Sequence, residues 1–279
     1  MITVIDSDNY AASGIETIVF PGGEPHVKLP IFPVQKHEDF ILLYLKARTL
    51  LDTFNGALVL DALSRQGQRA KLFCPYFPGA RQDRANDGTA PLTIEIMGQL
   101  LSHRPTYVFD LHSDLARVAM DWDPSILMPS DLPEGVQGQW DGVIAPDKGA
   151  LNRAMDFLQK FCPGTYIFRC EKDRDPKTGR ILSYQMPPLP KSGHYIVVDD
   201  ICDGGATFNL LAECWGTDWL ASGSTLDLFV SHGIFSRGIG NISPIYHNII
   251  TTDSWCQANT FGRLRVIPLL PQLLPLFGT

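Results

Sequence analysis

Residues Tyr195 to Thr207 read Tyr-Ile-Val-Val-Asp-Asp-Ile-Cys-Asp-Gly-Gly-Ala-Thr. An apolar, β-branched run meets acids at Asp199, Asp200 and Asp203, then passes through Gly204 and Gly205 into Ala206 and Thr207, where a helical pattern opens. A strand that is apolar on both faces and leads through a Gly-rich turn into a helix is the unit of an α/β fold with a parallel sheet. The same turn suits a phosphorylated sugar. Glycines let backbone N–H groups approach a phosphate at a helix N-terminus, where the dipole also favours an anion. Asp199 and Asp200, at the carboxyl end of the strand, can accept hydrogen bonds from ribose hydroxyls or hold Mg²⁺ through water.

Working outward, the chain alternates apolar, β-rich runs with turn signals and helical patterns. Strands are expected at Met1–Ile5, Glu16–Phe20, Phe40–Leu45, Ala70–Tyr76, Tyr107–Leu111, Gly142–Pro146, Tyr166–Phe168, His194–Asp199, Thr225–Val230 and Asn248–Thr252. Helices are expected at Leu50–Gln66, Leu92–Leu101, Lys148–Lys160 and Ala206–Trp215. In the third of these, the 3.6-residue period puts Leu151, Ala154, Met155 and Leu158 on one apolar face. The stretch Asp121–Gly142 is rich in Pro, Asp and Gly and reads as a connection, so two α/β domains are expected, residues 1–127 and 128–279.

Bulk composition narrows the function classes. A chain of 279 residues with 44% hydrophobic residues has material for two cores of ordinary size. It contains no apolar run of the roughly 18–20 residues that spans a bilayer, and its start lacks the basic character of a signal peptide. A soluble, cytoplasmic protein without a membrane partner is the expectation. The six cysteines are scattered without a C-x-x-C pair, which argues for reduced thiols over a zinc cage or a disulfide framework. A net charge of −7 without a Lys or Arg run argues against nucleic acid as a partner.

Other segments carry chemistry of their own. Cys74-Pro-Tyr-Phe-Pro-Gly-Ala-Arg81-Gln82-Asp83-Arg84 ends a strand and presents guanidinium groups that can stack on a base or pair with phosphate oxygens. Asp110-Leu-His112 ends another strand with a carboxylate and an imidazole near one edge, a setting for Mg²⁺ and a triphosphate. Asp147 follows Val143-Ile-Ala-Pro146 in the second half, and Lys172 and Arg174 lie in a polar stretch, Cys170–Gly179, that reads as a hairpin loop.

The 195–207 segment resembles the sugar-phosphate loop shared by phosphoribosyltransferases and phosphoribosyl pyrophosphate synthetases. The string Pro75-Tyr-Phe-Pro-Gly-Ala-Arg81-Gln82-Asp83-Arg84 resembles the synthetase signature, which the transferases lack. Pro91-Leu-Thr, Asp110-Leu-His112-Ser, Ala145-Pro-Asp147-Lys-Gly149, Lys172-Asp-Arg174 and Ser231-His-Gly-Ile-Phe-Ser follow in the family's order, so the resemblance covers roughly residues 20 to 236. It implies two tandem phosphoribosyltransferase-like domains. It also implies transfer of the β,γ-diphosphate of Mg-ATP to the anomeric 1-hydroxyl of ribose 5-phosphate, giving phosphoribosyl pyrophosphate and AMP.

Carried over residue by residue, the resemblance implies that Lys172 and Arg174 act on a catalytic loop over the transferring phosphoryl group. Positioned cations are the main protein contribution to such a transfer. Phe20, Glu24, Arg81, Gln82, Asp83 and His112 would bind ATP, with His112 and Asp147 touching Mg²⁺. Asp147, Asp199, Asp200, Asp203, Gly204, Gly205, Ala206 and Thr207 would bind the sugar phosphate. Phe20 and Glu24 reach a neighbouring subunit's ATP site in the family, which implies a homo-oligomer, a dimer or hexamer.

Two positions depart from the pattern. Gly22 replaces the usual Asp or Asn between Phe20 and Glu24, and Gly204 replaces the first Thr of the family's Asp-Thr-x-Gly-Thr. The missing hydroxyl beside the 5-phosphate opens a second acceptor, ADP-ribose, giving ADP-ribose pyrophosphate for NAD synthesis or salvage. A non-catalytic regulatory homologue is a further alternative. The retained Lys172, Arg174, His112, Asp147, Asp199 and Asp200 argue against it.

Overall fold

Parallel pairing of apolar strands builds both halves of the molecule. The structure is a computed structural model that describes residues 1–84, 88–101, 106–119, 123–133, 136–174, 181–189, 192–221, 223–256 and 261–278. The chain divides into two compact units, Met1–Leu127 with Leu276–Thr279, and Met128–Pro275.

The first unit holds β1 (Ile2–Asp6), β2 (Glu16–Val19), β3 (Pro25–Lys28), β4 (Phe40–Tyr44), α1 (Leu50–Arg65), β5 (Ala70–Cys74), α2 (Thr93–Leu101), β6 (Thr106–Phe109), α3 (Asp114–Ala119) and β7 (Ser125–Leu127). Its main sheet has the order β1-β4-β5-β6-β7, with every pair parallel. All five residues of β4 are buried, as a strand covered on both faces requires. The core joins Ile41, Leu43 and Leu72 of the sheet to Val59 and Leu63 of α1 and Ile94 of α2. Helix α1 starts where it does because Thr49 and Asp52 form a reciprocal capping box: Asp52 N donates to Thr49 Oγ1 at 3.1 Å and Thr49 N to Asp52 Oδ2 at 2.8 Å. Strands β2 and β3 form a separate antiparallel hairpin.

The second unit holds β8 (Gly142–Ala145), α4 (Leu151–Phe161), β9 (Tyr166–Arg169), β10 (Glu171–Arg174), β11 (Ile181–Gln185), β12 (His194–Cys202), α5 (Ala206–Ala221), β13 (Thr225–Gly233), β14 (Tyr246–Thr252), β15 (Leu264–Ile267) and α6 (Leu269–Leu273). Its sheet is parallel throughout, in the order β15-β14-β13-β12-β8-β9. Val197, Leu228 and Ile249 from the sheet pack with Phe208, Leu211 and Trp215 of α5. Among the described residues, strands β10 and β11 form a separate two-stranded antiparallel sheet.

Several features differ from the sequence expectation. The polar stretch around Lys172 is a strand of a hairpin, because its alternating Glu-Lys-Asp-Arg residues find a partner in Ile181–Gln185; residues 175–180 lie outside the described residues. The buried face of α4 carries Arg153, Ala154 and Phe157, while Met155 is exposed, because charge draws Arg153 inward in place of the expected apolar stripe. The chain end returns to the first unit, where Phe277 packs 5.0 Å from Phe73 and 4.6 Å from Tyr107 between ring centroids. Within the expected connection, residues 121–122 and 134–135 lie outside the described residues, and Ser125–Leu127 forms β7.

Candidate active site

In the second unit, three segments meet at the carboxyl ends of the parallel strands, the place where open α/β sheets hold ligands. Strand β8 delivers Asp147 through Pro146. Its Oδ1 accepts from Ala150 N at 3.0 Å, so the carboxylate also organises the turn before α4. Its Oδ2 accepts from Lys172 Nζ, and the lysine side chain is only 7% exposed. The hairpin that carries Lys172 is tied to the same loop by Tyr184 of β11, whose hydroxyl donates to Pro146 O at 3.0 Å. Tyr184 is the direct cross-strand partner of Lys172. Burial pushes the Asp147 carboxyl up, but the Lys172 hydrogen bond and charge, with the Ala150 and Gly149 N–H groups, hold it below the usual range. Arg174 pairs with Ile181 through its backbone, and its side chain lies outside the described residues.

Strand β12 delivers Asp199 and Asp200. Arg153 of α4 approaches both, with Nη1 3.8 Å from Asp199 Oδ1 and Nη2 3.8 Å from Asp200 Oδ2. Burial and then the charge of Asp200 push the Asp199 carboxyl well above its usual range, with Asp147 adding to the push and Arg153 opposing it. Arg153 is the residue that sequence reasoning missed. The signal was available, since an arginine one turn before Phe157 breaks an otherwise apolar face.

The Gly-rich turn follows directly. Gly205 has φ +80°, and a Cβ on it would collide with Ile242 Cδ1, so both backbone and packing demand glycine. Asn209 N donates to Gly205 O at 2.9 Å, the first turn of α5. Asp203, Gly204 and Thr207 are half-buried and Ala206 is exposed, which leaves the loop open to a ligand at the helix N-terminus. The neighbouring Ser231-His232-Gly233 piece has a different part to play. His232 is buried, with Nδ1 2.8 Å from Ser254 Oγ, and it packs β13 against the segment after β14.

The first unit gathers a second group of residues at the ends of β5 and β6. Gly79, at φ +79°, lets the loop pass close to the start of α2, where a Cβ would lie 3.1 Å from Ile94 N. Gln82 N donates to Gly79 O at 2.8 Å, and Arg81, Gln82 and Arg84 are exposed beyond this turn. Asp83 folds back and accepts from Ser113 Oγ, which in turn accepts from Ala116 N at 3.1 Å at the head of α3. The loop of Arg81–Arg84 is thereby tied to the His112–Ser113 turn. Asp110 is fully buried with φ +42°, a left-handed conformation that stores strain at the end of β6, two residues before the exposed His112. Phe20 and Glu24 occupy the tip of the β2–β3 hairpin, closed by Phe20 N to Glu24 O at 2.9 Å, with the Phe20 ring stacked on His26 at 5.9 Å.

Among the described residues, no three His, Cys, Asp or Glu side chains form a metal-binding group. The donor chemistry beside β12 nonetheless suits Mg²⁺, a hard cation held through few carboxylates and otherwise by water and substrate phosphates. Asp199 and Asp200 are oxygen donors whose mutual repulsion a dication relieves.

No family model matches the chain. Curated relatives do. The chain is 26% identical over 281 residues to the ribose-phosphate pyrophosphokinase of Pyrococcus furiosus, covering 94% of this chain and 92% of the relative. It is 29% identical over 259 residues to that of Sulfolobus acidocaldarius, covering 86% of each. Over most of its length the chain is similar to enzymes named ribose-phosphate pyrophosphokinase. The fold agrees: the phosphoribosyl pyrophosphate synthetase of Mycobacterium smegmatis superposes with a TM-score of 0.76 at 19% identity, over 99% of this chain and 96% of that one. That likeness covers both parallel sheets. Among the described residues, no helix is long and apolar enough to cross a membrane.

Proposed function

We propose that this chain is a pyrophosphokinase that transfers the β,γ-diphosphate of Mg-ATP to the anomeric hydroxyl of a ribose 5-phosphate unit, with ribose 5-phosphate itself as the first acceptor to test. The 1-hydroxyl oxygen bonds to the β-phosphorus and the bond to the α,β-bridging oxygen breaks. AMP leaves with that electron pair, and the hydroxyl proton passes to solvent. The observation that carries this reading is Lys172, held against Asp147 beside the crowded acids Asp199 and Asp200 and the Gly-rich turn. Positioned cations supply most of what a protein can add to phosphoryl transfer, and Lys172 is such a cation on an anchored hairpin. Asp199, Asp200 and Asp147 are the residues that would hold Mg²⁺ and the ribose hydroxyls. When bound, the metal would neutralise phosphate charge. Arg81, Gln82, Asp83 and His112, joined through the Asp83–Ser113 contact, form the ATP-binding face of the first unit in this reading.

Incubation with Mg-ATP and ribose 5-phosphate should yield AMP in step with consumption of the sugar phosphate, read by ion-exchange chromatography. Production of ADP, or AMP formation that does not depend on an acceptor, would contradict the assignment.

The exposed tip of the β2–β3 hairpin supports a role for Phe20 and Glu24 across a subunit interface, since a 46% exposed Phe20 beside a 60% exposed Val19 leaves apolar surface to cover. The active species is then at least a two-fold dimer. Light scattering coupled to an activity assay should place all activity in species of two or more chains, and a fully active monomer would refute it.

A second reading, ADP-ribose as acceptor, is favoured by the combination of Gly204 and the residue lying against it.

A further inference from the structure

Gly204 and Gly205 are glycines for different reasons. Gly205 has a positive φ and no room for a Cβ. Gly204 has neither constraint, and a Cβ there would meet only the side chain of Arg237, 3.5 Å from Nε and 3.7 Å from Cδ. The backbone does not require this glycine. What the missing side chain leaves open is the approach of a guanidinium to the phosphate loop.

The fold presents Arg237 there through its backbone. At the end of β13, Ile234 N and Phe235 N both donate to Cys202 O, at 2.9 and 3.0 Å, which bends the chain over the end of β12. Phe235 adopts φ +46°, and Gly238 N donates to Phe235 O at 2.7 Å, closing a tight turn with Arg237 in its centre. Asn241 laces that turn to the loop, because its Nδ2 donates to Gly204 O at 3.0 Å. Asn209 of α5 donates in turn from Nδ2 to Asn241 O at 3.0 Å. The Arg237 side chain is exposed. A strained turn that presents a cation beside a phosphate loop is spent on something other than folding.

We propose that Arg237 binds a second phosphoryl group carried on the 5-phosphate, so that the acceptor is a ribose 5-phosphate unit extended through a diphosphate link, the chemical class of ADP-ribose. This rests on the sugar-phosphate reading of the 203–207 loop. The chemistry of the two acceptors differs in the way the two residues differ. A terminal phosphate monoester has three free oxygens and up to two charges, and it uses a hydroxyl donor in the loop. A phosphate inside a diphosphate link has two free oxygens and one charge, needs fewer donors, and brings a second anionic group further out. Gly204 removes the donor, and Arg237 adds a planar fork that matches phosphate oxygens two at a time.

The test is R237A, with R237K and G204T alongside. AMP formation is measured with ribose 5-phosphate and with ADP-ribose, and binding of each acceptor is measured by calorimetry without ATP. In R237A the Kd and KM for ADP-ribose should rise at least about tenfold, with the loss in KM and not in kcat, while the values for ribose 5-phosphate move by a clearly smaller factor. R237K should recover part of the loss, because it restores the charge without the fork. G204T should follow R237A, since its branched side chain displaces the guanidinium. Equal losses on the two acceptors, no loss on ADP-ribose, or failure of the parent protein to bind ADP-ribose would each overturn the proposal. If neither acceptor yields AMP with the parent, the pyrophosphokinase reading fails, and the calorimetric comparison of R237A with parent still decides the role of Arg237.

Discussion

Lys172→Ala is expected to lower kcat by roughly a hundred- to a thousandfold, the range seen when one preorganised donor to a developing charge is removed, while ATP binding changes little. The ammonium is in place before any substrate arrives, paired with Asp147 on a hairpin held by the Tyr184 hydroxyl. An interaction that strengthens as charge develops in the transition state appears in kcat far more than in ground-state affinity. The hairpin should persist in the variant, because the Tyr184–Pro146 hydrogen bond and the β10–β11 pairing do not involve the lysine side chain. A second readout separates chemistry from structure. With the lysine gone, burial of Asp147 is opposed only by backbone N–H groups, so its carboxyl rises and the acid limb of the pH profile moves upward. Lys172→Arg should keep the charge and restore part of kcat. Stopped-flow or quenched turnover with saturating ATP and acceptor is the measurement, and a kcat near that of the parent would remove Lys172 from the catalytic machinery.

Much of this architecture was legible in the chain, for identifiable reasons. Parallel strands covered on both faces must be continuously apolar, so runs such as Phe40–Tyr44 and Tyr195–Val198 announced themselves. The Gly-rich turn before α5 was equally plain, since Gly205 answers to a positive φ and a packed neighbour. What stayed hidden was decided by tertiary partners. Glu171–Arg174 has no apolar pattern, and only its pairing with Ile181–Gln185 makes it a strand. Arg153 points inward because Asp199 and Asp200, far along the chain, draw it there. The 3.6-residue pattern of α4 alone selected Met155, which is in fact exposed. Phe277 joins the first unit through Phe73, Tyr107 and a 2.7 Å hydrogen bond from Lys71 Nζ to its carbonyl, none of which a local reading of the last residues contains. The candidate site divides in the same way. The loops that supply single residues were readable as strings, whereas the pairing of Lys172 with Asp147 and the approach of Arg237 to Gly204 are facts of three dimensions.

Asp227→Ala is expected to destabilise the second unit by about 3–5 kcal/mol, the cost of removing one partner from a buried charged pair, without a direct effect on the transfer chemistry. Asp227 lies near the amino end of β13, opposite the acids at the carboxyl ends, and its side chain is 2% exposed. Its Oδ2 accepts from Trp140 Nε1 at 2.9 Å and lies 2.8 Å from His194 Nε2. Its Oδ1 accepts from Asn248 N and Nδ2, both at 3.0 Å. One carboxylate thus ties β12, β13 and β14 to the segment before β8. Alanine leaves these donors without their acceptor in a closed site. Trp140, Trp215, Trp219 and Trp255 all belong to the second unit, so urea unfolding followed by tryptophan fluorescence reports on it. The network also carries a pH signature. The hydrogen bond to Asp227 raises the His194 imidazole above its ordinary 6.5, against the effect of burial. Its contribution is therefore complete below that value and is lost as pH rises through the higher folded value. Burial pushes the Asp227 carboxyl up, but the hydrogen bonds of His194, Trp140 and Asn248 bring it below its ordinary 3.8. That contribution is present above 3.8 and is lost as pH falls through the lower folded value. The stability gap between the parent protein and Asp227→Asn, which keeps the shape and removes the charge, should be widest between these two ordinary values and should narrow in alkaline buffer. A gap that stays constant from mildly acidic to alkaline pH would mean that the His194–Asp227 contact is a neutral hydrogen bond without the charge assigned to it.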